Sequence, residues 1–177
     1  MRPNDEDTIV LFHVNLMMER RGYLLKENRE REGVSVYSYP ENKKEEVLVW
    51  ISSHEKLNID GIKEYVALLE SYRKKHGILI FPTTITSSAK KVLENLYKFN
   101  IELFQKQEFM YDFQQLRYYS PHVRAEETVA QDLKKRFGSH LLLLLRTDPV
   151  CRYFGFEKGE IIKVQRKNGT IVYRLVK

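Results

Sequence analysis

Cysteine is almost missing from this chain, since Cys151 is the only one among 177 residues. A single cysteine excludes an intrachain disulfide and the cysteine pairs on which structural zinc sites are usually built. The five histidines are scattered, and none has a partner at metal-ligand spacing. We therefore expect no metal and no cofactor, and we interpret Cys151 as a small packing residue.

Long apolar runs are also missing. The longest aliphatic run, Leu141 to Leu145, is far shorter than the roughly 20 residues that a membrane-spanning helix needs. The first residues, MRPNDEDT, are acidic and contain no apolar stretch of the kind found in a secretory signal. No glycine-rich phosphate loop is found. The sequence thus predicts no membrane partner and no nucleotide-binding loop.

What the chain does have is apolar content and positive charge. Apolar residues make up 42% and aromatic residues 12%, which is enough for a well-packed core, and the net charge is +6. Residues 150–177 contain seven Lys or Arg against Glu157 and Glu160, a net charge of +5. Such a basic end is suited to an acidic protein surface or to nucleic acid, but it is equally compatible with a solvated face.

Strand-like and helix-like segments alternate through the first part of the chain. Right-handed crossovers between such strands give a partly parallel sheet with flanking helices, which predicts an α/β module. The strands are expected at 47–51, 78–81 and 101–104, separated by helices around 62–72 and 88–96.

Four local expectations accompany this pattern. The charged segment 26–32 is expected to be a loop, and 109–113 to be a further strand or an extended connector. Asp60 is expected to cap the helix around 62–72, and Ser87 or Ser88 is expected to cap the helix around 88–96. Short polar side chains suit these positions because they accept hydrogen bonds from the first helical N–H groups.

The last thirty residues predict a helix, a turn and a β-hairpin. Asp148 can cap the helix, Pro149 fits its first position and Gly155 can end it. Asn168-Gly169 lies between two apolar runs and favours a tight hairpin turn. With a helix over 125–137, the sequence predicts a small mixed-sheet module, and we place the domains at 1–116 and 117–177.

This C-terminal stretch resembles the fifth subunit shared by eukaryotic nuclear RNA polymerases I, II and III, whose C-terminal domain is similar to the H-type subunit of archaeal RNA polymerase. The matches occur in order and at the family's fixed spacing, and they cover the helix, the turn and both strands of the hairpin. They are Asp148, Pro149, Val150, Arg152, Tyr153, Gly155, Gly159, Ile161, Ile162, Lys163, Tyr173, Arg174 and Val176.

A weaker resemblance continues through the first part of the chain. Arg21 to Leu24 is similar to the end of the family's first helix, and 121–123 to the entry of its assembly domain. Thr86 to Lys90 resembles the family's T-P-S-A-[KR] turn, with Ser87 in place of the proline. The resemblance implies an N-terminal jaw module and a C-terminal assembly module.

The resemblance also implies what these modules do. It implies a non-catalytic subunit of a nuclear DNA-directed RNA polymerase, located in the nucleus, that docks on the largest subunit and helps to grip downstream duplex DNA. The turn before the third predicted helix could hold one phosphate, although an ordinary capped helix with solvated lysines would have the same sequence. The DNA-contact candidates are Thr86, Ser88, Lys90 and Lys91, and the subunit-interface candidates are Arg152, Tyr153, Phe154, Lys163, Arg166 and Arg174.

Two other classes of function are compared with this interpretation. A free-standing basic regulator that binds nucleic acid is compatible with the charge and the α/β module. A metal-dependent nuclease would need carboxylates on adjacent strands. Glu41 and Lys43 have a suitable spacing, but they lie in a polar loop, and the predicted buried strands 47–51 and 78–81 carry no acid. We therefore predict no catalytic residues and no enzyme activity.

Overall fold

The computed structural model describes residues 5–29, 33–40 and 46–177. These residues form two compact units, one ending at Tyr111 and the other running from Asp112 to Lys177. The units divide a few residues before the predicted domain boundary between 116 and 117, which stays a prediction. No helix in the described ranges is long and apolar enough to cross a membrane.

The first unit is built on a five-stranded sheet. Its helices are α1 (Asp5–Arg20), α2 (Ile59–Ser71) and α3 (Ser87–Glu94), and its strands are β1 (Leu24–Arg29), β2 (Val34–Ser38), β3 (Glu46–Ile51), β4 (Lys56–Leu57), β5 (His76–Phe81), β6 (Thr84–Ile85) and β7 (Asn100–Gln105). The sheet order is β1-β2-β3-β5-β7. Neighbours are antiparallel from β1 to β3 and parallel from β3 to β7.

The parallel half follows from the alternation of apolar strands with amphipathic helices. The intervening helices α2 and α3 connect strands that run in the same direction. The apolar face of α2 is fully buried in one cluster with residues of the sheet, where Trp50 stacks on Tyr65 at 5.7 Å between ring centroids. The predicted α/β module with a partly parallel sheet and flanking helices is confirmed.

The predicted loop over 26–32 is wrong in its described part, because residues 24–29 form strand β1. This strand lies at the edge of the sheet and pairs with β2. All six of its residues are exposed, so it lacks the apolar alternation that identifies a strand in a sequence. Residues 30–32 are outside the described ranges.

Both predicted helix caps are wrong by one or two positions. Asn58 caps α2 by accepting a hydrogen bond from the Gly61 N–H at 2.9 Å, whereas Asp60 lies within the first turn. Thr86 caps α3 by accepting from the Ala89 N–H at 3.3 Å. Asn58 and Thr86 have the extended backbone that a capping residue requires, and the other candidates are already inside the helices.

Residues 109–113, predicted as a further strand or an extended connector, form no strand and instead join two 3-10 turns, Lys106–Phe109 and Phe113–Gln115. Phe109 is buried and packs on Phe104, with ring centroids 5.4 Å apart. The aromatic alternation thus reflects separate packing sites in the two units, not one face of a strand.

The second unit is a four-stranded mixed sheet with two helices. Its elements are β8 (His122–Arg124), α4 (Glu127–Phe137), β9 (Leu142–Leu144), α5 (Pro149–Phe154), β10 (Ile161–Gln165) and β11 (Ile171–Val176). The order is β8-β10-β11-β9, with β9 parallel to β11 and the other pairs antiparallel. The predicted small mixed sheet that ends in a hairpin is confirmed.

The local predictions for this unit hold. Asp148 Oδ1 accepts a hydrogen bond from the Val150 N–H at 2.9 Å, and Pro149 is the first helical residue. Gly155 ends α5 in the left-handed region, with φ of 62°. Gly169 also has a positive φ, of 84°, in the turn between β10 and β11.

Candidate nucleic-acid and subunit interfaces

The turn before α3 is held firmly by the first unit. Strand β6 pairs in parallel with β4, so that Thr84 lies opposite Lys56. The Thr86 N–H donates to the Leu57 carbonyl at 3.0 Å, and the Thr83 hydroxyl donates to the Glu55 carbonyl at 2.8 Å. The segments that follow β3 and β5 are therefore joined at the carboxyl edge of the parallel sheet.

The predicted DNA-contact residues lie together at this turn. Thr86 Oγ1 caps the helix and is 3.2 Å from Ser88 Oγ, so its oxygen already has local partners. Lys90 and Lys91 are exposed on the first turns of α3. Lys56, on the paired strand β4, is a third exposed cation that the sequence reasoning missed, because only the β4–β6 pairing connects it to the turn. No salt bridge involves these three lysines in the described ranges.

The predicted aromatic anchors of α5 are used within the second unit. Tyr153 and Phe154 are half-buried. Phe113 packs on both of them, with ring centroids 4.3 Å and 6.2 Å away, and Phe154 also stacks on Phe156 at 5.3 Å. The role of Arg152, Tyr153 and Phe154 in a subunit interface stays a prediction.

The three cations predicted on the hairpin point in different directions. Lys163 pairs with Tyr173 across the strands, whereas Arg174 pairs with Ile162, so the two cations lie on opposite faces of the sheet. Arg174 Nη1 donates to the Leu143 carbonyl at 3.0 Å. Arg166 is exposed in the hairpin turn. The structure thus does not gather the predicted interface residues on one face.

Exposed apolar side chains of the second unit were missed by the sequence reasoning. Val123, Leu142, Leu143, Leu145 and Ile171 are between 41% and 56% exposed. The all-leucine run from 141 to 145 contained a usable indication, since a strand buried on one face normally alternates with polar residues. Within this run, Leu144 is buried, whereas Leu142, Leu143 and Leu145 are exposed.

Cys151 and His122 each contact a backbone carbonyl within the second unit. The Cys151 thiol is buried and donates to the Phe156 carbonyl at 3.6 Å. Burial, and secondarily the nearby Asp148 carboxylate, raises the pKa of this thiol, which opposes formation of a reactive thiolate. Burial also lowers the pKa of His122, whose Nδ1 lies 2.6 Å from the Ser120 carbonyl oxygen. Both residues therefore support packing rather than catalysis.

A partly buried ionic network in the first unit was not predicted. Arg21 binds both carboxylate oxygens of Glu102 at 2.9 and 2.8 Å, and His76 Nε2 lies 2.8 Å from Oε1. Burial by itself would raise the pKa of Glu102, but the hydrogen bonds from His76 and Arg21, together with their charges, lower it to about 2. The network ties the end of α1 to β5 and β7.

This carboxylate is occupied by its protein partners. Within the described residues, no group of His, Cys, Asp or Glu is arranged to hold a metal ion. Glu41 and Lys43, the pair considered for a nuclease, lie outside the described residues.

Comparison with known proteins agrees with the resemblance. The model of the family "RNA polymerase Rpb5, C-terminal domain" matches residues 119–176. The DNA-directed RNA polymerase subunit 5-like protein 1 of Arabidopsis thaliana is 27% identical over 150 residues, which cover 82% of this chain and 71% of that protein. Subunit RPABC1 of DNA-directed RNA polymerases I, II and III from Caenorhabditis elegans is 27% identical over 140 residues, covering 75% and 66% of the two chains.

Among solved structures, the DNA-bound ATP-dependent Type ISP restriction-modification enzyme LlaBIII matches 80% of this chain and 10% of its own, at 16% identity and a TM-score of 0.43. A likeness of that size carries no argument about function. The family match, in contrast, lies wholly within the second compact unit. Residues 119–176 therefore match the Rpb5 C-terminal domain, and over most of its length the chain is similar to RNA polymerase subunit 5 proteins.

Proposed function

We propose that this protein is a non-catalytic subunit of a DNA-directed RNA polymerase and works in the nucleus. The observation that carries the proposal is the match of residues 119–176 to the Rpb5 C-terminal domain, because this stretch lies within one of the two compact units. The relatives that match 82% and 75% of the chain, both named as polymerase subunits, support the same conclusion.

The second unit is the part that docks, and the largest polymerase subunit is its partner. Residues 112–177 contain thirteen Lys or Arg and seven Asp or Glu, which gives a net charge of +6. The unit also leaves five large apolar side chains between 41% and 56% exposed on and beside its strands. Exposed apolar residues with cations around them are typical of surfaces that bind another protein.

The first unit contacts downstream duplex DNA through the turn before α3. Its residues 1–111 contain seventeen Lys or Arg and seventeen Asp or Glu, so it has no overall charge with which to attract DNA. Contact must then be local, through Thr86, Ser88, Lys90 and Lys91, with Lys56 beside them. Such a small site binds few phosphates and reads no sequence.

The proposal is tested by purifying the chain, with an affinity tag, from cells that contain it naturally. A polymerase subunit elutes with a very large assembly, and the polymerase's large subunits are identified in the same fraction. A chain that elutes alone, without polymerase subunits, would instead support a free-standing nucleic-acid-binding regulator. DNA cleavage by the pure protein that depends on Mg²⁺ would contradict the non-catalytic role.

A further inference from the structure

The loop between α2 and β5 contains a strained arginine. Arg73 has a φ of 54°, whereas every other described residue with a positive φ is glycine. Its N–H donates to the Glu70 carbonyl at 3.0 Å, and the Lys74 N–H donates to the Leu69 carbonyl at 2.8 Å, so α2 ends in a Schellman motif with Arg73 at the left-handed position. Glycine is the usual residue there, because a side chain is disfavoured in this conformation.

The helix end by itself does not account for this arginine. Cations near the C-terminus of a helix offset the negative end of its dipole. Lys74 and Lys75 follow directly and provide these charges even with glycine at position 73. Strained residues are concentrated at functional sites. The guanidinium group at this strained position therefore indicates a contact outside the isolated chain.

A second loop lies beside the first. The Asn100 N–H donates to the Lys75 carbonyl at 2.8 Å, which joins the segment before β7 to the loop after α2. Tyr97, in that segment, is 89% exposed. We call the side chains of Arg73, Lys75 and Tyr97 the amino-edge surface, because they precede β5 and β7 at the amino edge of the parallel sheet.

The two cations of the amino-edge surface are exposed and unpaired. Within the described residues, no salt bridge involves Arg73 or Lys75. The neighbouring Lys98, in contrast, is paired with Glu70 at 3.0 Å. Arginine and tyrosine are among the residues that contribute most to binding at protein interfaces. Two positive charges beside an exposed tyrosine ring are thus suited to a protein segment that carries carboxylates.

We propose that the amino-edge surface binds an acidic segment of another protein, with Arg73 and Lys75 on its carboxylates and Tyr97 packed against it. Strand β5 spans six residues, roughly 20 Å, and separates this surface from the DNA-contact turn at the carboxyl edge of the sheet. The first unit can therefore hold this partner and DNA at the same time. The inference goes beyond the proposed function and does not involve the second unit.

Other occupants fit the amino-edge surface less well. A phosphate backbone is bound by several cations, and this surface has two. Helices α2 and α3 both end at this edge, with the exposed carboxylates of Glu70 and Glu94 in their last turns, so the local field opposes a dense polyanion. A second copy of the chain is a poor source of negative charge, since its net charge is +6.

The first test uses the purified full-length chain, labelled with ¹⁵N, and a short peptide of alternating Glu and Ala residues as the probe. The peptide should shift the amide signals of residues 73–77 and 97–100. Arg73→Gly should weaken this binding about fivefold, which corresponds to the loss of one exposed ion pair. Its urea midpoint, followed by Trp50 fluorescence, should stay the same or rise, because glycine adopts a φ of 54° without strain.

The matched control is Lys63→Gln. Lys63 is an exposed lysine at the other end of α2, where it pairs with Asp60 at 3.6 Å, and its replacement should leave peptide binding unchanged. Equal weakening by both variants, unchanged binding of Arg73→Gly, or signal shifts confined to the second unit would overturn the inference. So would larger shifts of the same signals with an oligothymidine strand than with the peptide, since the surface would then bind nucleic acid.

The second test looks for the partner in native cells, with the full-length tagged chain. A photo-crosslinking amino acid at Tyr97 should label a protein segment with more acidic than basic residues, and Lys75→Glu should reduce that labelling severalfold. The same amino acid at Tyr118, which is 86% exposed in the second unit, is the control for exposure alone.

Four results of the crosslinking would contradict the inference: no labelled protein, a labelled basic segment, labelled nucleic acid, or the same segment labelled from Tyr97 and Tyr118. A labelled second copy of this chain would contradict it as well. None of these results bears on co-purification with polymerase, so a failure of the inference and a failure of the proposed function are distinguishable.

Discussion

The two units of this molecule differ in charge and in how much of their apolar surface they bury. The first has equal numbers of acidic and basic residues, and one of its core clusters contains eleven buried residues from helices and strands. The second has a net charge of +6, and its core cluster contains six buried residues. It also leaves five large apolar side chains between 41% and 56% exposed on and beside its strands.

This difference indicates that the two units have different roles, the first as a rigid contact module and the second as a partner-binding module. A unit with a large buried core and balanced charges is expected to fold by itself and to present a small, rigid contact site. A unit with a small core and an uncovered apolar face gains stability when a partner binds it. We therefore expect stability to be internal to the first unit and to depend on a partner in the second.

The largest effect is expected for Gly77→Ala in the first unit. A Cβ at Gly77 would lie 2.1 Å from Tyr65 Oη and 2.9 Å from Leu69 Cδ2, so α2 would have to move away from β5. Tyr65 would also lose its buried hydrogen bond to the Leu48 carbonyl, now 2.8 Å long. We expect the free energy of unfolding to fall by about 4 kcal/mol.

Urea unfolding followed by Trp50 fluorescence measures this change, because Trp50 is the single tryptophan and lies in the first unit. The control is Gly169→Ala, which meets no atom within 4 Å and disturbs only a turn of the second unit. Equal losses of stability in the two variants would contradict the tight packing of α2 on β5.

The next effect concerns acid stability and Glu102. Its pKa of about 2 in the folded protein is below the ordinary value of 4.5, so the carboxylate favours folding at pH values above about 4.5. That contribution to the free energy of unfolding, at most about 3 kcal/mol, is lost as the pH falls from about 4.5 towards 2. Glu102→Gln should lower stability at pH 7 and flatten the pH profile of Trp50-detected unfolding below pH 5.

The matched control for this effect is Glu70→Gln. Glu70 forms an exposed salt bridge with Lys98 at 3.0 Å, and exposed pairs contribute little to stability. If Glu70→Gln flattens the acid profile as much as Glu102→Gln does, the buried network is not the cause.

A smaller effect, confined to the second unit, is expected for Gly155→Val. A β-branched residue is poorly tolerated at a φ of 62°, so the end of α5 is strained by about 2 kcal/mol. Hydrogen exchange of the β10 and β11 amides should accelerate and assembly with polymerase should be lost, while Trp50-detected unfolding stays the same. Gly155→Asn should do less, since asparagine tolerates this conformation.

The smallest effect on stability is expected for the double change Lys90→Glu and Lys91→Glu. Both side chains are exposed, so folding and assembly should be unaffected. DNA binding by the assembled polymerase should weaken. The slope of the logarithm of the DNA-binding constant against the logarithm of salt concentration should decrease in magnitude by roughly one to two. Changing Lys134 and Lys135, an adjacent exposed pair on α4, should leave this slope unchanged. Failed assembly would show that the turn is structural.

The sequence predicted those parts of the fold where one residue determines the local conformation. Asp148, Pro149 and Gly155 identified α5 because capping, a fixed φ and a positive φ are properties of single residues. The parallel half of the first sheet was predictable because the interiors of β3 and β5 are continuous apolar runs. Strand β1 was not, since an exposed edge strand is held by backbone pairing, to which its polar side chains give no indication.

The candidate sites were predictable only as lists of residues. The turn residues Thr86 to Lys91 are contiguous, so the sequence placed them together correctly. The hairpin residues Lys163 and Arg174 look equivalent in the sequence, but the register places them on opposite faces. The ionic contacts of Glu102 join segments that are far apart in the sequence, and no local pattern could have indicated them.

The position of β11 also has a consequence for the synthesis of this protein. It is the final strand of the described chain, yet it lies inside the sheet, between β10 and β9. Within the described chain, β9 pairs only with β11, so on the ribosome it stays without a partner until the codons for residues 171–176 have been translated. The first unit can fold during translation before residues 171–176 are made, whereas the sheet of the second unit cannot be completed without them, and premature termination within these codons would remove an interior strand.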